Sequence, residues 1–387
     1  MLWKQRQLSF RGQALVASVL GLSLFWYQAT VFDMPETVIS RINKILFPFV
    51  WGKKREWMAC TSVIQPLHQG GLGVVDLPQK VLSLRAVLLR RFFCHLHHPW
   101  SSFFSLHVAS AFNNQSVVQV LSRTHVPVYL INKLPPFYRG IQTAWVQLKG
   151  TQDHGSWVIP RPRTDPIPVV DLTAKISYAL LTTATQTEHR SIAKFRDLNI
   201  PVAWSQAWSS LCVWRFVRLV QDTAWLTFHG ILPTADRLVR FGMNVNPACF
   251  CREPESLVHL FTSCPFASEV LQWFTIQLHK YHPTAALTTG HILFGFDSAS
   301  GVPIVFTALL GILCHHVWLA RNKHRFEQVP PDAPTTLKSA RSTFRFLVRM
   351  HKRHCTREVF DRDWLVDGIV GCVNEQDWIR FTRDFIT

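Results

Sequence analysis

The sequence is poor in acidic residues and lacks the short motifs of common hydrolases. Its 387 residues include 24 Asp and Glu against 41 Lys and Arg, for a net charge of +17. It contains neither Gly-x-Ser-x-Gly nor His-Glu-x-x-His, which supply the nucleophile or the zinc ligands of many hydrolases. The glycine cluster at 70–73 has no Lys-Ser or Lys-Thr after it, so a turn explains it better than a phosphate-binding loop. These absences argue against an enzyme.

Disulfides and disorder are also disfavoured. The nine cysteines are an odd number and are scattered outside one cluster, which is typical of free thiols in a reducing compartment. Hydrophobic residues make up 48% of the chain, so folded cores can form, and the length allows two or three small domains. The strong positive charge favours a polyanionic partner, either nucleic acid or an acidic membrane surface.

Three cysteines and one histidine lie close together in the run CFCREPESLVHLFTSC. Cys249, Cys251, His259 and Cys264 have the spacing C-x-C-x7-H-x4-C. Three thiolates and a neutral imidazole complete a tetrahedral zinc site and leave no open position for a reacting water. The cluster therefore predicts a structural zinc ion. The alternative is three ordinary buried cysteines and a core histidine, but the compact spacing favours zinc.

The segment after the cluster, PFASEVLQWFTIQL, predicts a helix with Pro265 in its first turn. Cys264 would then lie at a helix N-terminus, where the helix dipole favours a thiolate.

The stretch from Trp214 to Trp273 resembles the zinc-binding domain that follows the reverse transcriptase in LINE-type (non-long-terminal-repeat) retrotransposon proteins. The similar text is WLTFHGILPTADRLVRFG, the cysteine cluster and HLFTSCPFASEV. Two features differ, since the family's first cysteine pair is usually C-x2-C and Trp is common where Leu271 stands. The positions that match the family pattern are His229, Gly230, Leu232, Pro233, Thr234, Leu238, Glu255, His259, Leu260, Phe261 and Cys264.

The resemblance extends to both sides of this domain. Residues 8–51 are similar to the segment after the polymerase palm, where the thumb lies, and HHVWLARNKHRF resembles the family's tail. The palm itself is absent, because no two aspartates are adjacent and two catalytic metal ions would have no carboxylates to hold them. The resemblance implies no catalytic residues here, and a palm and an endonuclease encoded upstream as partners.

Basic residues recur at helical spacing near the C-terminal end. They are Lys338, Arg341, Arg345, Arg349 and Lys352. Spacings of three and four residues place them on one stripe of a helix, with apolar residues roughly opposite. We predict that this basic stripe contacts nucleic-acid phosphates, which convey little sequence information. The alternative is a solvated helix face. Arg321, Lys323 and Arg325 form a second, smaller cluster.

These features predict a mostly α-helical protein. Residues 1–148 would form a helical region that resembles the thumb and its connector. Residues 149–170, rich in Pro, Gly and Asp, predict a linker. We expect the zinc-binding domain at 171–283 and a basic helical region at 284–387.

The segment 12–32 contains no charged residue and follows Lys4, Arg6 and Arg11. A signal peptide or a membrane span is therefore an alternative. Six polar or small residues lower its hydrophobicity, so a buried helix is the preferred interpretation and we expect no membrane partner. They are Gln13, Ser18, Gly21, Ser23, Gln28 and Thr30.

The resulting hypothesis is a non-enzymatic, zinc-containing portion of a retrotransposon reverse transcriptase polyprotein that binds RNA or DNA in the nucleus or the cytoplasm. One alternative is a stand-alone zinc-stabilised binding module or an inert transposon remnant. A second is a membrane-anchored protein that uses residues 12–32. A reading frame upstream that encodes paired palm aspartates would favour the first hypothesis.

Overall fold

The chain folds into a mostly helical structure with two compact units. Helix accounts for 66% of the structure and strand for 6%, which confirms the predicted fold class. The N-terminal unit comprises 11–65 and 73–187, and the C-terminal unit comprises 1–10, 66–72 and 188–387. The computed structural model describes residues 8–32, 34–52, 56–95, 97–153, 155–162, 164–183, 188–211, 218–366, 369–373 and 379–382.

The core of the N-terminal unit surrounds helix α5 (Leu77–Cys94), whose apolar residues face α9 (Pro136–Gln147) and α10 (Ala174–Thr183). The guanidinium of Arg85 on α5 is buried and donates to the Thr30 carbonyl and, at 2.6 Å, to the Phe32 carbonyl. These bonds satisfy carbonyls at the end of α2, which have no partner within that helix. The helices are α1 (Phe10–Val16), a π-helical turn (Ala17–Gly21), α2 (Ser23–Val31), α3 (Glu36–Val50), α4 (Cys60–Ile64), α5 (Leu77–Cys94), α6 (Pro99–Ala111), α7 (Val117–Leu121), α8 (Val128–Ile131), α9 (Pro136–Gln147) and α10 (Ala174–Thr183).

Most of the segment 149–170, which the sequence predicts as a linker, forms an antiparallel sheet. Its strands are β1 (Thr151–Asp153), β2 (Ser156–Arg161) and β3 (Thr164–Pro168), in that order across the sheet. Ile159 and Ile167 pair in register and are buried. The prolines are compatible with this sheet, since Pro160 lies at a register shift in β2 and Pro168 lies on an edge strand.

The predicted domain limits also differ from the structure. The division near this sheet falls between Thr187 and Glu188, and residues 284–387 share one compact unit and one core with the zinc-binding segment. The longest helix, α17, is buried along most of its length against α13, α15, α16 and α18. The helices of this unit are α11 (Arg190–Asp197), α12 (Trp204–Ser210), α13 (Arg218–Phe228), α14 (Ala235–Arg240), α15 (Pro265–Tyr281), α16 (Thr289–Phe294), α17 (Ile304–Glu327), α18 (Ala333–His354) and α19 (Arg357–Trp364), followed by strands β4 (Val370–Val373) and β5 (Ile379–Phe381).

The short segment 66–72 packs within the C-terminal unit although it is distant in sequence. The Gly70 carbonyl accepts hydrogen bonds from the Trp225 indole at 3.0 Å and from His229 Nε2 at 2.8 Å. Gly70 has a φ of +89°, and an added Cβ would lie 2.7 Å from the Trp208 ring. Only glycine fits this position.

By length and composition, α17 could cross a membrane, with a mean hydropathy of 1.6, but 67% of that window is buried inside the protein. The 10–21 and 23–31 helices pass the same test only as a pair, and they are bent by 46°. The core helix of a soluble protein can have the same length and composition.

Candidate metal centre

A tight hairpin places the first two candidate ligands. The Cys249 N–H donates to the Glu253 carbonyl at 2.8 Å, and the Arg252 N–H returns to the Cys249 carbonyl at 2.9 Å. Arg252 has a φ of 77°, a left-handed conformation that reverses the chain. The turn places Cys249 and Cys251 near one another, and backbone N–H groups of Cys251 and Glu253 point at their sulfurs.

A π-helical turn, His259–Ser263, places the other two candidate ligands. The Cys264 N–H donates to the His259 carbonyl at 2.8 Å. Cys264 is the N-cap of α15 and Pro265 is in the first turn, as the sequence predicts. The backbone N–H groups of Phe266 and Ala267 point at the Cys264 sulfur, so this end of the helix favours a thiolate.

The four side chains converge with the spacing that a tetrahedral ion requires. Their ligand atoms all lie within 4.8 Å of one another. Cys249 Sγ is 3.9 Å from Cys264 Sγ, and Cys251 Sγ is 3.2 Å from His259 Nε2. Tetrahedral zinc with its usual bond lengths separates two sulfurs by about 3.8 Å and a sulfur from a nitrogen by about 3.6 Å. The donor set therefore fits zinc, and the C-x-C pair does not prevent the four atoms from meeting.

A hydrogen bond between two of the candidate ligands shifts the pKa values of their thiols in opposite directions. The hydrogen bond with Cys264 raises the pKa of Cys249, and the same bond lowers the pKa of Cys264. Burial raises the pKa of Cys251. A bound divalent ion would displace the thiol protons and hold all three sulfurs as thiolates. With four protein ligands the ion would have no position for substrate, so the arrangement suits a structural role.

A buried ion pair lies next to the candidate ligands. Glu255, between Cys251 and His259 in sequence, is 2% exposed and accepts from the Ala235 N–H at 2.7 Å. Arg321 of α17 donates to both of its carboxylate oxygens, at 2.9 and 2.5 Å. This pair joins the hairpin, α14 and α17, so the metal centre and the C-terminal helices form one structure.

The smaller basic cluster is only partly available to nucleic acid. Arg321 is 2% exposed and paired with Glu255, and Arg325 contacts the same carboxylate at 3.5 Å. These two arginines therefore stabilise the fold. From its spacing with Lys323 and Arg325, Arg321 is a candidate for phosphate binding. Its partner Glu255 lies 66 residues away in sequence, so the spacing gives no sign of this ion pair. Glu255 and Arg321 each lie in a segment that resembles the family pattern. The only sign of their pairing in the sequence is that one of these segments carries an acidic residue and the other a basic residue.

The predicted basic stripe lies on α18, opposite the buried face of that helix. Lys338 and Arg349 are exposed, whereas Arg341, Arg345 and Lys352 are partly buried. The Arg341 guanidinium lies 5.9 Å from the centre of the Trp273 ring, and that of Arg349 lies 5.8 Å from the Phe381 ring. The opposite side of α18 is buried through Ala340, Phe344, Leu347 and Val348. The helical row is thus present, and what it binds stays a prediction.

Comparison with known proteins identifies the class of the domain. Residues 193–271 match the family described as zinc-binding in reverse transcriptase. These residues include the Cys3His cluster, so this part of the chain is a zinc-binding domain of the reverse-transcriptase type. A segment of 92 residues is 33% identical to the Transposon TX1 uncharacterized 149 kDa protein of Xenopus laevis. It covers 23% of this chain and 7% of that relative. The chain is related to the reverse transcriptase proteins of retrotransposons.

Proposed function

We propose that this protein is a zinc-stabilised, nucleic-acid-binding portion of a retrotransposon reverse transcriptase protein. It would hold template RNA or target DNA beside a polymerase palm and an endonuclease encoded elsewhere in the same polyprotein. The proposed resident metal is one structural zinc ion on Cys249, Cys251, His259 and Cys264. On this proposal the protein acts in the nucleus or the cytoplasm and has no catalytic residues of its own.

The observation that carries the proposal is the basic stripe on α18. Five cations share one side of a helix whose other side is buried in the unit that contains the metal centre. Such a row can neutralise successive phosphates, and the binding would depend on salt and little on sequence. The net charge of +17 supports the same kind of partner.

The test replaces Arg341, Arg345 and Arg349 together by Gln. If all three contact phosphate, the slope of log affinity against log salt should fall by roughly two units, because each phosphate contact contributes about 0.7 to 0.9. Fluorescence anisotropy with labelled RNA and DNA at several salt concentrations measures this slope. Zinc content and helicity should be unchanged, since the buried face of α18 and the metal ligands are intact.

A control removes the same charge elsewhere. Arg196, Arg357 and Arg362 are 68%, 76% and 71% exposed and each pairs with a carboxylate, so changing all three to Gln should leave the slope almost unaltered. If both triple variants lose the same affinity, the stripe acts only through net charge. If neither variant weakens binding, the relevant cations lie elsewhere. Arg90 and Arg91 are then the next candidates, with Lys53, Lys54 and Arg55, which lie outside the described residues.

A further inference from the structure

A cleft of about 800 Å³ opens in the C-terminal unit beside the metal centre. Its walls come from the end of α11 and the following loop, from α14, from the residues just before His259, and from the start of α16. None of the predicted site residues lines it. All of its lining residues belong to one compact unit, so the cleft is a feature of that unit alone.

The charged residues of the cleft lining are two cations, Lys194 and Arg240, and two carboxylates, Asp197 and Asp236. Lys194 Nζ donates to the Gly230 carbonyl at 2.7 Å, which fixes its position, and Arg240 pairs with Asp236 at 2.8 Å. Arg237 Nη1 donates to the same Gly230 carbonyl at 3.4 Å, and burial and then the charges of Arg240 and Arg237 lower the pKa of Lys194. Asp236 also accepts from the Thr234 hydroxyl at 2.5 Å. With Arg237 included, three cations lie near the two carboxylates, and Asp236 is already engaged by Arg240 and Thr234. An anion between Lys194 and Arg240 would therefore be stabilised.

The remaining lining is apolar with a few polar groups. Leu198, Pro201 and Leu257 provide apolar surface, the Asn199 amide can donate or accept, and the Asp197 carboxylate can accept from the N–H groups of a base edge. A nucleotide combines these requirements, because it has an anionic phosphate, a flat apolar base and a polar base edge. A base within a duplex has both faces stacked and its edge paired, so it could not enter.

We propose that this cleft binds one nucleotide unit of an unpaired RNA or DNA strand, with its phosphate at Lys194 and Arg240 and its base against Leu198 and Leu257. The inference rests on the proposed nucleic-acid binding and adds a preference for single strands. The basic stripe of α18 would contact phosphates of single and double strands alike, whereas the cleft would contact only an unpaired strand.

The test compares an oligouridine strand with a blunt duplex, each labelled and titrated at several salt concentrations against the full chain. Changing Lys194 and Arg240 together to Gln should lower the salt slope for the single strand by roughly 0.7, because both cations contact the same phosphate, and leave the duplex slope unchanged. Arg196→Gln together with Arg362→Gln removes the same two charges at residues that do not line the cleft, so this matched control should change neither slope. The charge-conserving pair Lys194→Arg and Arg240→Lys should restore the single-strand slope.

A second measurement uses the wild-type protein and does not depend on the folding of a variant. A strand that contains 4-thiouridine should photo-cross-link to residues 194–201 or 256–258, and an excess of unlabelled oligouridine, but not of unlabelled duplex, should remove the cross-link. Equal losses for strand and duplex would overturn the proposal, as would cross-links confined to other segments. Removal of the cross-link by the unlabelled duplex would also overturn it, because the cleft would then not distinguish unpaired strands. If wild type binds no nucleic acid, the proposed function fails as well, whereas failure of the cleft variants alone leaves it standing.

Discussion

Replacing Glu255 by Gln tests whether the metal centre depends on a buried charge pair. Glu255 and Arg321 are both about 2% exposed, and the carboxylate accepts from Arg321, Arg325 and the Ala235 N–H. Gln at this position would leave the Arg321 guanidinium buried without a counter-charge. Breaking a buried pair by removing one partner typically costs about 3–5 kcal/mol of unfolding free energy. We expect a loss of this size in the C-terminal unit and weaker retention of zinc.

The assay must report on the C-terminal unit by itself, because a chain with two compact units need not unfold in one step. Hydrogen exchange of α17 peptides in increasing urea, with zinc present, provides such a probe. Glu188→Gln is the matched control, since Glu188 and its partner Arg196 are 56% and 68% exposed and an exposed pair contributes at most about 1 kcal/mol.

A double variant distinguishes the free energy lost with the ion pair from the cost of leaving one charge buried without a partner. Arg321→Met added to Glu255→Gln removes the unpaired guanidinium, so the double variant should be more stable than Glu255→Gln alone. If Glu255→Gln costs no more than Glu188→Gln, or if the two changes simply add, then the buried pair does not hold the hairpin to α17 and our interpretation is wrong.

Three further predictions follow from the metal centre, the buried histidines and the missing aspartate pair. Purified protein should contain one zinc ion per chain, and Cys264→Ser should release it and increase hydrogen exchange across residues 225–275; metal analysis without stoichiometric zinc in wild type would contradict this. Burial lowers the pKa of His229 and of His315 to about 3 and that of His316 to about 4, from an ordinary histidine value of 6.5. Below pH 6.5 the unfolded chain therefore binds more protons at these histidines than the folded chain does. Stability that is complete above this pH should therefore decrease on acidification, by on the order of 1 kcal/mol per histidine at about pH 5.5, and urea midpoints of wild type and His316→Gln measure it. The chain should not extend a primer on any template with magnesium, and incorporation by contaminant-free protein would show that a catalytic site was overlooked.

The parts of this site that sequence analysis predicted are local in sequence. Cys249 to Cys264 are joined by short turns, so their spacing alone indicated that they would converge, and the stripe on α18 follows from helical periodicity. The partnership of Glu255 with Arg321 spans 66 residues and has no periodic pattern, so it required the tertiary structure. The sheet at 151–168 was missed because prolines usually interrupt strands, whereas here they lie at a bulge and on an edge.

The position of Gly70 limits how this protein can be divided. The chain crosses between the two compact units at residues 10–11, 65–66, 72–73 and 187–188. The C-terminal unit is therefore built from three separate segments of the sequence. A fragment that starts at 188 would leave the Trp225 indole and the His229 imidazole without the carbonyl acceptor that Gly70 supplies. A recombination event with one junction near residue 188 would therefore transfer the C-terminal unit without residues 66–72. The fold favours the joint inheritance of the zinc-binding domain and the segment upstream that contains Gly70.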